Sequence, residues 1–383
     1  MTAETVLHNA RIVLADEIVE GSLVLRDGFI AGIDAGPSAG IGRTGEDMGG
    51  DYIIPGLVEL HTDHLEGHYA PRPKVRWNPI AAVLAHDAQV ATAGITTVLD
   101  ALRVGMDEDA DMTSADMRKL ADAIEDSVRQ DRLRADHFIH LRCEVSAPDC
   151  LAAFAHFDGD ERVKLASLMD HAPGQRQFVD LETYAYYYQR KLKLTDRDFK
   201  LFCDKRMEES ARNSAPNRAV IAAACQERGI VLASHDDATT GHVDEAIEQG
   251  VRVAEFPTTE EAARASKAAG LGVLMGAPNV MRGASHSGNV SARTLAGDGL
   301  LDILSSDYIP FSLIQSAFFL GDVVEGISLP QAVAMVSKNP AEAVGLTDRG
   351  VIEPGRRADL VRVRVDDHVP VVRTVWRQGL RVA

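Results

Sequence analysis

From Val6 to Ala35 short β-branched runs alternate with turn residues at Asn9, Asp16, Gly21, Asp27-Gly28 and Gly36, a pattern that predicts strands joined by tight turns. The stretch from Gly350 to Val382 has the same texture, with Pro354-Gly355 as a turn. Neither end can bury a face alone. The two are therefore expected to meet in one small β-sandwich built from residues 1–55 and 345–383.

Between them the period changes. Apolar runs at Leu57–His61, Ile95–Asp100, Phe138–Val145, Val163–Met169, Ile230–His235, Val253–Phe256, Gly272–Met275 and Asp302–Asp307 read as strands. Helical stretches fall at Pro79–Ala93, Ser114–Gln130, Asp198–Arg228, Val243–Gln249, Glu260–Ala268 and Leu329–Val344. Strand followed by helix, repeated eight times, predicts an α/β fold: a closed (β/α)8 TIM-like barrel over residues 56–344. A doubly wound open sheet is the alternative, but no Gly-x-Gly-x-x-Gly opens a helix after the first strand, so nothing supports a dinucleotide site. Residues 173–217, with Tyr184, Tyr186, Tyr187, Tyr188 and Gln189, are an insertion longer than a barrel loop requires, a place where lids occur.

The chain has 383 residues, 45% of them hydrophobic, and a formal net charge of -17. That field repels polyanions, which argues against nucleic acid and anionic membranes as partners. No apolar run reaches the roughly 20 residues needed to span a bilayer. Cys143, Cys150, Cys203 and Cys225 show no paired spacing, and the start lacks a basic segment followed by an apolar core, so a cytoplasmic setting is expected. A homo-oligomer is left open.

Active-site groups of such barrels sit at the C-terminal ends of the strands. In the segment Ile53–Pro73, His61 and Asp63 end the first strand and share a face with Glu59 by alternation. An imidazole and a carboxylate so placed can reach one divalent cation, although a plain His-Asp hydrogen bond would look the same. Glu144 ends the third strand, His171 follows the fourth, and His235 and Asp307 end the fifth and eighth. Six such groups at one rim point to a site for one or two metal ions. Lys164 starts its strand and so lies at the wrong end. His64 and His68 compete as ligands from the loop. Arg72, Lys74 and Arg76 put three cations beside this rim in an acidic chain, and Arg282, Ser285, His286 and Ser287, flanked by Gly283 and Gly288, form a second loop suited to phosphate.

The runs PGLVELHTDHLEGHYAPRP, LAHDAQVATAGITTVLDAL, LASHDDATTGHVDEA, AEFPTT, RGASHSGN and SSDYIP, spread over nearly the whole chain, resemble the amidohydrolase superfamily and, more narrowly, its phosphonate-pathway branch. The resemblance implies a metal-dependent hydrolase that cuts a phosphoanhydride of a small ribose triphosphate and releases diphosphate. It implies His61 and Asp63 on one metal, His171 and His235 on the other, Glu144 bridging, and Asp307 touching metal and taking the proton of the attacking water. Zinc suits this mixed set first, with manganese, iron or nickel compatible. Two departures stand out: His61-x-Asp63 replaces the usual His-x-His, and Glu144 replaces a fourth-strand lysine. The rivals are a cyclic amide hydrolase or deaminase on the same scaffold, which has no use for the cations, and a non-catalytic scaffold relative, in which ligands would be lost.

Overall fold

Where the sequence alternates at its two ends, the chain pairs with itself in a single sheet. The computed structural model describes residues 4–36, 45–106, 112–176, 184, 185, 189, 193–285 and 288–383. The terminal strands are β1 (Glu4–Val13), β2 (Ile18–Arg26), β3 (Phe29–Ala35), β4 (Glu46–Asp47), β5 (Tyr52–Pro55), β14 (Leu360–Asp366), β15 (Val369–Arg377) and β16 (Leu380–Arg381). They hydrogen-bond in the order β16-β15-β14-β5-β1-β2-β3, with β4 on β1, so the amino-terminal strands meet the carboxy-terminal ones at β5 and β14. The expected sandwich is thus one continuous sheet, and a bridge from Phe29 to Arg357 links its β3 edge to the chain entering β14. Leu7, Ile12, Leu23, Ile53, Leu360 and Trp376 form its core.

The barrel strands run parallel in chain order: β6 (Leu57–Thr62), β7 (Ile95–Val104), β8 (Asp136–Glu144), β9 (Val163–Met169), β10 (Val231–His235), β11 (Val253–Glu255), β12 (Gly272–Gly276) and β13 (Ile303–Ser305). Helices α1 (His64–Tyr69), α2 (Pro79–Thr92), α3 (Ser114–Arg129), α4 (Cys150–Ala155), α5 (Asp196–Arg228), α6 (Thr240–Glu248), α7 (Glu260–Ala268), α8 (Ala277–Arg282), α9 (Ala292–Gly297), α10 (Ser312–Val323), α11 (Leu329–Ala334) and α12 (Lys338–Ala343) connect or follow them. Val58, Leu60, Leu99, Leu165, Ala233, Val253, Leu274 and Ile303 fill the interior, and Ala341 and Val344 belong to the same cluster. Each of the valine, leucine and isoleucine side chains contributes about 1.5 to 3 kcal/mol on burial. Among the described residues no helix is long and apolar enough to cross a membrane.

Closure between β6 and β13 uses something other than a full ladder. At the catalytic end a bridge joins Thr62 to Asp307, with Asp307 N–H donating to His61 O (3.1 Å) and Asp63 N–H to Asp307 O (3.2 Å). Further down, Val58 N–H donates to Val336 O and Leu304 N–H to Met335 O, both at 2.9 Å. That is why the single helix expected over 329–344 divides into α11 and α12: the residues between them supply carbonyls to the barrel, and Pro340 cannot sit deep in a continuous helix.

Candidate active site

Three strand ends turn sharply into the barrel mouth. Asp236, Phe256 and Asp307 follow β10, β11 and β13 with φ of 57°, 53° and 53°. Non-glycine residues seldom adopt this left-handed backbone, and such strain collects at functional sites. Here it marks the turns around a cluster built from His61, Asp63, Glu144, His171, His235, Asp236, Glu255 and Asp307.

His61 Nδ1 lies 2.7 Å from Glu255 Oε1, and its Nε2 is 3.6 Å from Asp63 Oδ1. His171 Nδ1 is 2.6 Å from Glu144 Oε2, while its Nε2 is 3.5 Å from Asp236 Oδ2. His235 stands between them, with Nδ1 2.9 Å from Asp236 Oδ2 and Nε2 3.5 Å from Glu255 Oε2. Three trios bring ligand atoms close enough to share an ion: His61, His235 and Glu255; His171, His235 and Asp236; and His61, Asp63 and Asp307. Arg142 Nη1 donates to Asp63 Oδ1 at 2.6 Å.

The charges are unbalanced. Burial alone would drive the imidazoles neutral, yet Glu255 and Asp63 together hold His61 up to about 10, and Glu144 and Asp236 together hold His171 up to about 9. Burial also works against the carboxylates, but His61 keeps Glu255 down to about 2, and His171 and His235 keep Glu144 and Asp236 well below the usual range. Burial pushes Asp307 upward, as its neighbour Asp63 also does. Nearby His140, lowered to about 3 by burial, is neutral and bonded to Leu60 O and Ser167 Oγ. Despite their contacts, both ring nitrogens of His235, Asp236 Oδ2 and Glu255 Oε2 are buried without a well-formed hydrogen bond. Orphaned buried atoms of this kind are costly, and divalent cations placed in the His61–His235–Glu255 or the His171–His235–Asp236 trio would satisfy them. The donor set fits a metal.

A cavity of about 270 Å³ opens on the cluster, lined by His61, His171, His235 and Asp307, by Arg142, and along the wall that follows β12 by Asn279, Arg282, Ser285 and Asn289. Of the residues expected to bind phosphate, Arg282 and Ser285 are on this wall; His286, Ser287 and Tyr186–Tyr188 lie outside the described residues. Arg72, Lys74 and Arg76 do not line it. Arg72 and Lys74 are exposed on the segment between α1 and α2, and Arg76 Nε lies 3.7 Å from Asp116 at the start of α3. His64 and His68 turn elsewhere, to Tyr308 O (2.7 Å) and Gln89 Oε1 (3.0 Å). Lys164 is one residue into β9, near the Phe138 ring, as its place in the sequence implied. Tyr184 is buried against Phe199, Phe202 and Cys203. Strict alternation does not hold at Glu59: the β6–β7 register shifts after it, and its carboxylate accepts from His61 N–H and Ser306 N–H at 2.6 Å, closing the barrel seam rather than joining the cluster.

A family model for the amidohydrolase family matches residues 145–383. The chain is 48% identical over 381 residues to the α-D-ribose 1-methylphosphonate 5-triphosphate diphosphatase of Escherichia coli, covering 98% of this chain and 100% of that one. The chain belongs to the amidohydrolase family. An amidohydrolase fold is equally plain in the N-acetyl-D-glucosamine-6-phosphate deacetylase of Mycobacterium smegmatis, which superposes with a TM-score of 0.66 over 99% of both chains at 17% identity. The imidazolonepropionase of Deinococcus deserti is 25% identical over 395 residues, 95% of this chain and 92% of that one. As an amidohydrolase it is a hydrolase of a metal-dependent superfamily.

Proposed function

We propose that this amidohydrolase is an α-D-ribose 1-methylphosphonate 5-triphosphate diphosphatase: water attacks the α-phosphorus, diphosphate leaves, and ribose 1-methylphosphonate 5-phosphate remains. The observation that carries the reading is the 48% identity to a diphosphatase across the whole of both chains. Geometry supports it. In a chain of net charge -17, Arg282 stands on the cavity wall with no acidic partner among the described residues, facing a cluster rich in carboxylates. A guanidinium free in such a field suits a phosphate chain bound across the cavity.

His61, Asp63, His171, His235, Asp236, Glu255 and Asp307 would hold one or two divalent ions, zinc first by ligand type and manganese, iron or nickel also compatible. Glu144, expected to bridge, belongs to none of the trios and instead holds the His171 ring from 2.6 Å. When bound, the metal lowers the pKa of water and polarises a phosphoryl oxygen. Asp307, raised by burial and at the edge of the cavity, accepts the proton of the attacking water. Arg282 and Ser285 hold the outer phosphates, and Arg142 presents a second cation beside Asp63. Arg72, Lys74 and Arg76 add positive charge at the rim. The substrate is a small molecule, not nucleic acid, and the four buried, unpaired cysteines suit the cytoplasm.

Phosphorus NMR of the zinc-loaded enzyme with the ribose triphosphate, nucleoside triphosphates and cyclic amides tests the proposal. Diphosphate should appear fastest from the ribose triphosphate. Turnover of a cyclic amide with no diphosphate from any triphosphate would overturn it.

A further inference from the structure

A crossover helix of a (β/α)8 barrel ordinarily lays an apolar stripe on the strands. Helix α5 does so only near its end, where Ile221, Ala222 and Cys225 enter the outer core. Upstream, the face toward the barrel is polar. Arg206, Ser210, Asn213, Ser214 and Asn217 are spaced by four, three, one and three, which puts them on one side of the helix.

Every one of them reaches a turn that carries a member of the metal cluster. Ser210 and Ser214 donate from Oγ to Asp170 Oδ2 at 2.8 and 2.7 Å, and Asp170 Oδ1 accepts from Ala172 N–H at 3.1 Å, so the carboxylate spans both sides of His171. Asn217 Nδ2 donates to Val145 O (2.8 Å) and Asn213 Nδ2 to Ser146 O (2.9 Å), the two residues after Glu144. Arg206 Nη2 donates to Ser146 Oγ at 3.4 Å, and that hydroxyl donates to Glu144 Oε1 at 2.7 Å. Glu144 and His171 in turn meet at 2.6 Å.

Folding alone does not call for this arrangement. Burying hydroxyls, amides and a guanidinium is costly unless each is paired, and an apolar stripe of the same shape would stabilise the crossover at least as well. We infer that the polar stripe of α5 is a positioning device: it fixes the turns after β8 and β9 so that Glu144 holds the His171 ring in ligating register. The inference rests on the proposed metal centre. Groups that orient ligands in this way typically change metal affinity by roughly 10- to 100-fold when removed.

The test is zinc titration of the full-length, chelator-stripped protein, paired with thermal melting with and without zinc. Ser210→Ala/Ser214→Ala should bind zinc 10- to 100-fold more weakly, with the zinc-free melting temperature unchanged and the zinc-induced rise reduced. The threonine pair, Ser210→Thr/Ser214→Thr, keeps the hydroxyls and should restore binding. Unchanged affinity, or a lower zinc-free melting temperature with the zinc-induced rise intact, would overturn the inference and leave the stripe a packing feature. If the double variant does not fold, Asn213→Ala is read by the same two criteria. Failure of the wild-type protein itself to bind zinc or another divalent ion would remove the metal centre, and with it both readings, so the two failures are told apart.

Discussion

Arg142 and Asp63 meet across the mouth of the barrel, Nη1 to Oδ1 at 2.6 Å, and the same carboxylate lies 3.6 Å from His61. Burial would raise Asp63, yet Arg142 and His61 together hold the group well below the usual carboxylate range. Arg142 thus supplies positive charge where a second imidazole of a His-x-His pair would otherwise be a neutral ligand. Removing it leaves Asp63 facing Asp307 and Glu66 without its cation. Arg142→Ala should lower unfolding free energy in urea by about 1.5 to 3 kcal/mol, and Arg142→Lys should recover only part, lacking the planar fork. Urea midpoints equal to wild type for the alanine variant would show the pair to be solvent-screened and idle.

Asp307 is fixed by its backbone on both sides, to His61 O and from Asp63 N–H, and its carboxyl opens on the cavity. Asp307→Asn preserves shape and an oxygen donor but cannot accept a proton. Turnover should drop by about 10²- to 10⁴-fold while bound metal, measured by elemental analysis, stays close to wild type. Near-normal turnover would assign the base elsewhere.

The barrel was legible because eight apolar runs are separated by helical stretches, and a charge ending such a run has few places to go but the rim. That reasoning puts His61, His171, His235 and Asp307 at the rim, and all four line the cavity. Glu255 was missed because β11 is only three residues long and its acid sits between apolar neighbours, where nothing local says that the strand has already ended. Asp236 was hidden behind His235. Arg142 precedes Glu144 by one strand period, so alternation places both on one side; that it would meet Asp63 depends on the pairing of β6, β7 and β8, which no local pattern encodes. The rim cations Arg72, Lys74 and Arg76 looked close to the site in sequence. Helix α1 carries the chain away from the cavity before they appear.

That displacement ranks the cations. On the proposed reading, Arg282→Ala should remove a charge-assisted hydrogen bond to phosphate worth on the order of 1.5 to 3 kcal/mol, a ten- to hundredfold loss in kcat/KM for the triphosphate. Arg72→Ala, out on the rim, should cost less than threefold, chiefly in the association rate and only at low salt. Steady-state kinetics of the two variants at low and moderate ionic strength compare them directly. A larger loss at Arg72 than at Arg282 would place the phosphates over the α1–α2 segment instead of the α8 wall.

Away from the cavity, His137 on β8 is held between two acids: Nδ1 is 2.8 Å from Asp100 Oδ2 and Nε2 is 3.4 Å from Asp87 Oδ1. His86 of α2 meets the other oxygen of Asp100 at 2.7 Å, so the network pins α2 to β7 and β8. Burial would lower His137, but Asp100 and Asp87 together raise the ring to about 9. An imidazolium with a raised folded-state pKa gives stability that is complete below the unfolded value near 6.5 and is lost as pH climbs through about 9. Asp100, held well below the carboxylate range mainly by His137 against the pull of burial, stays ionised throughout that window and adds no slope of its own. His137→Gln keeps an amide N–H donor for one of the two acids and removes the titration. The stability difference between wild type and this variant, from urea unfolding of the metal-loaded proteins, should therefore shrink by roughly 2 kcal/mol between pH 7 and pH 10. A difference that stays constant or widens over that range would mean that His137 is neutral in the fold and that the pin is an uncharged one.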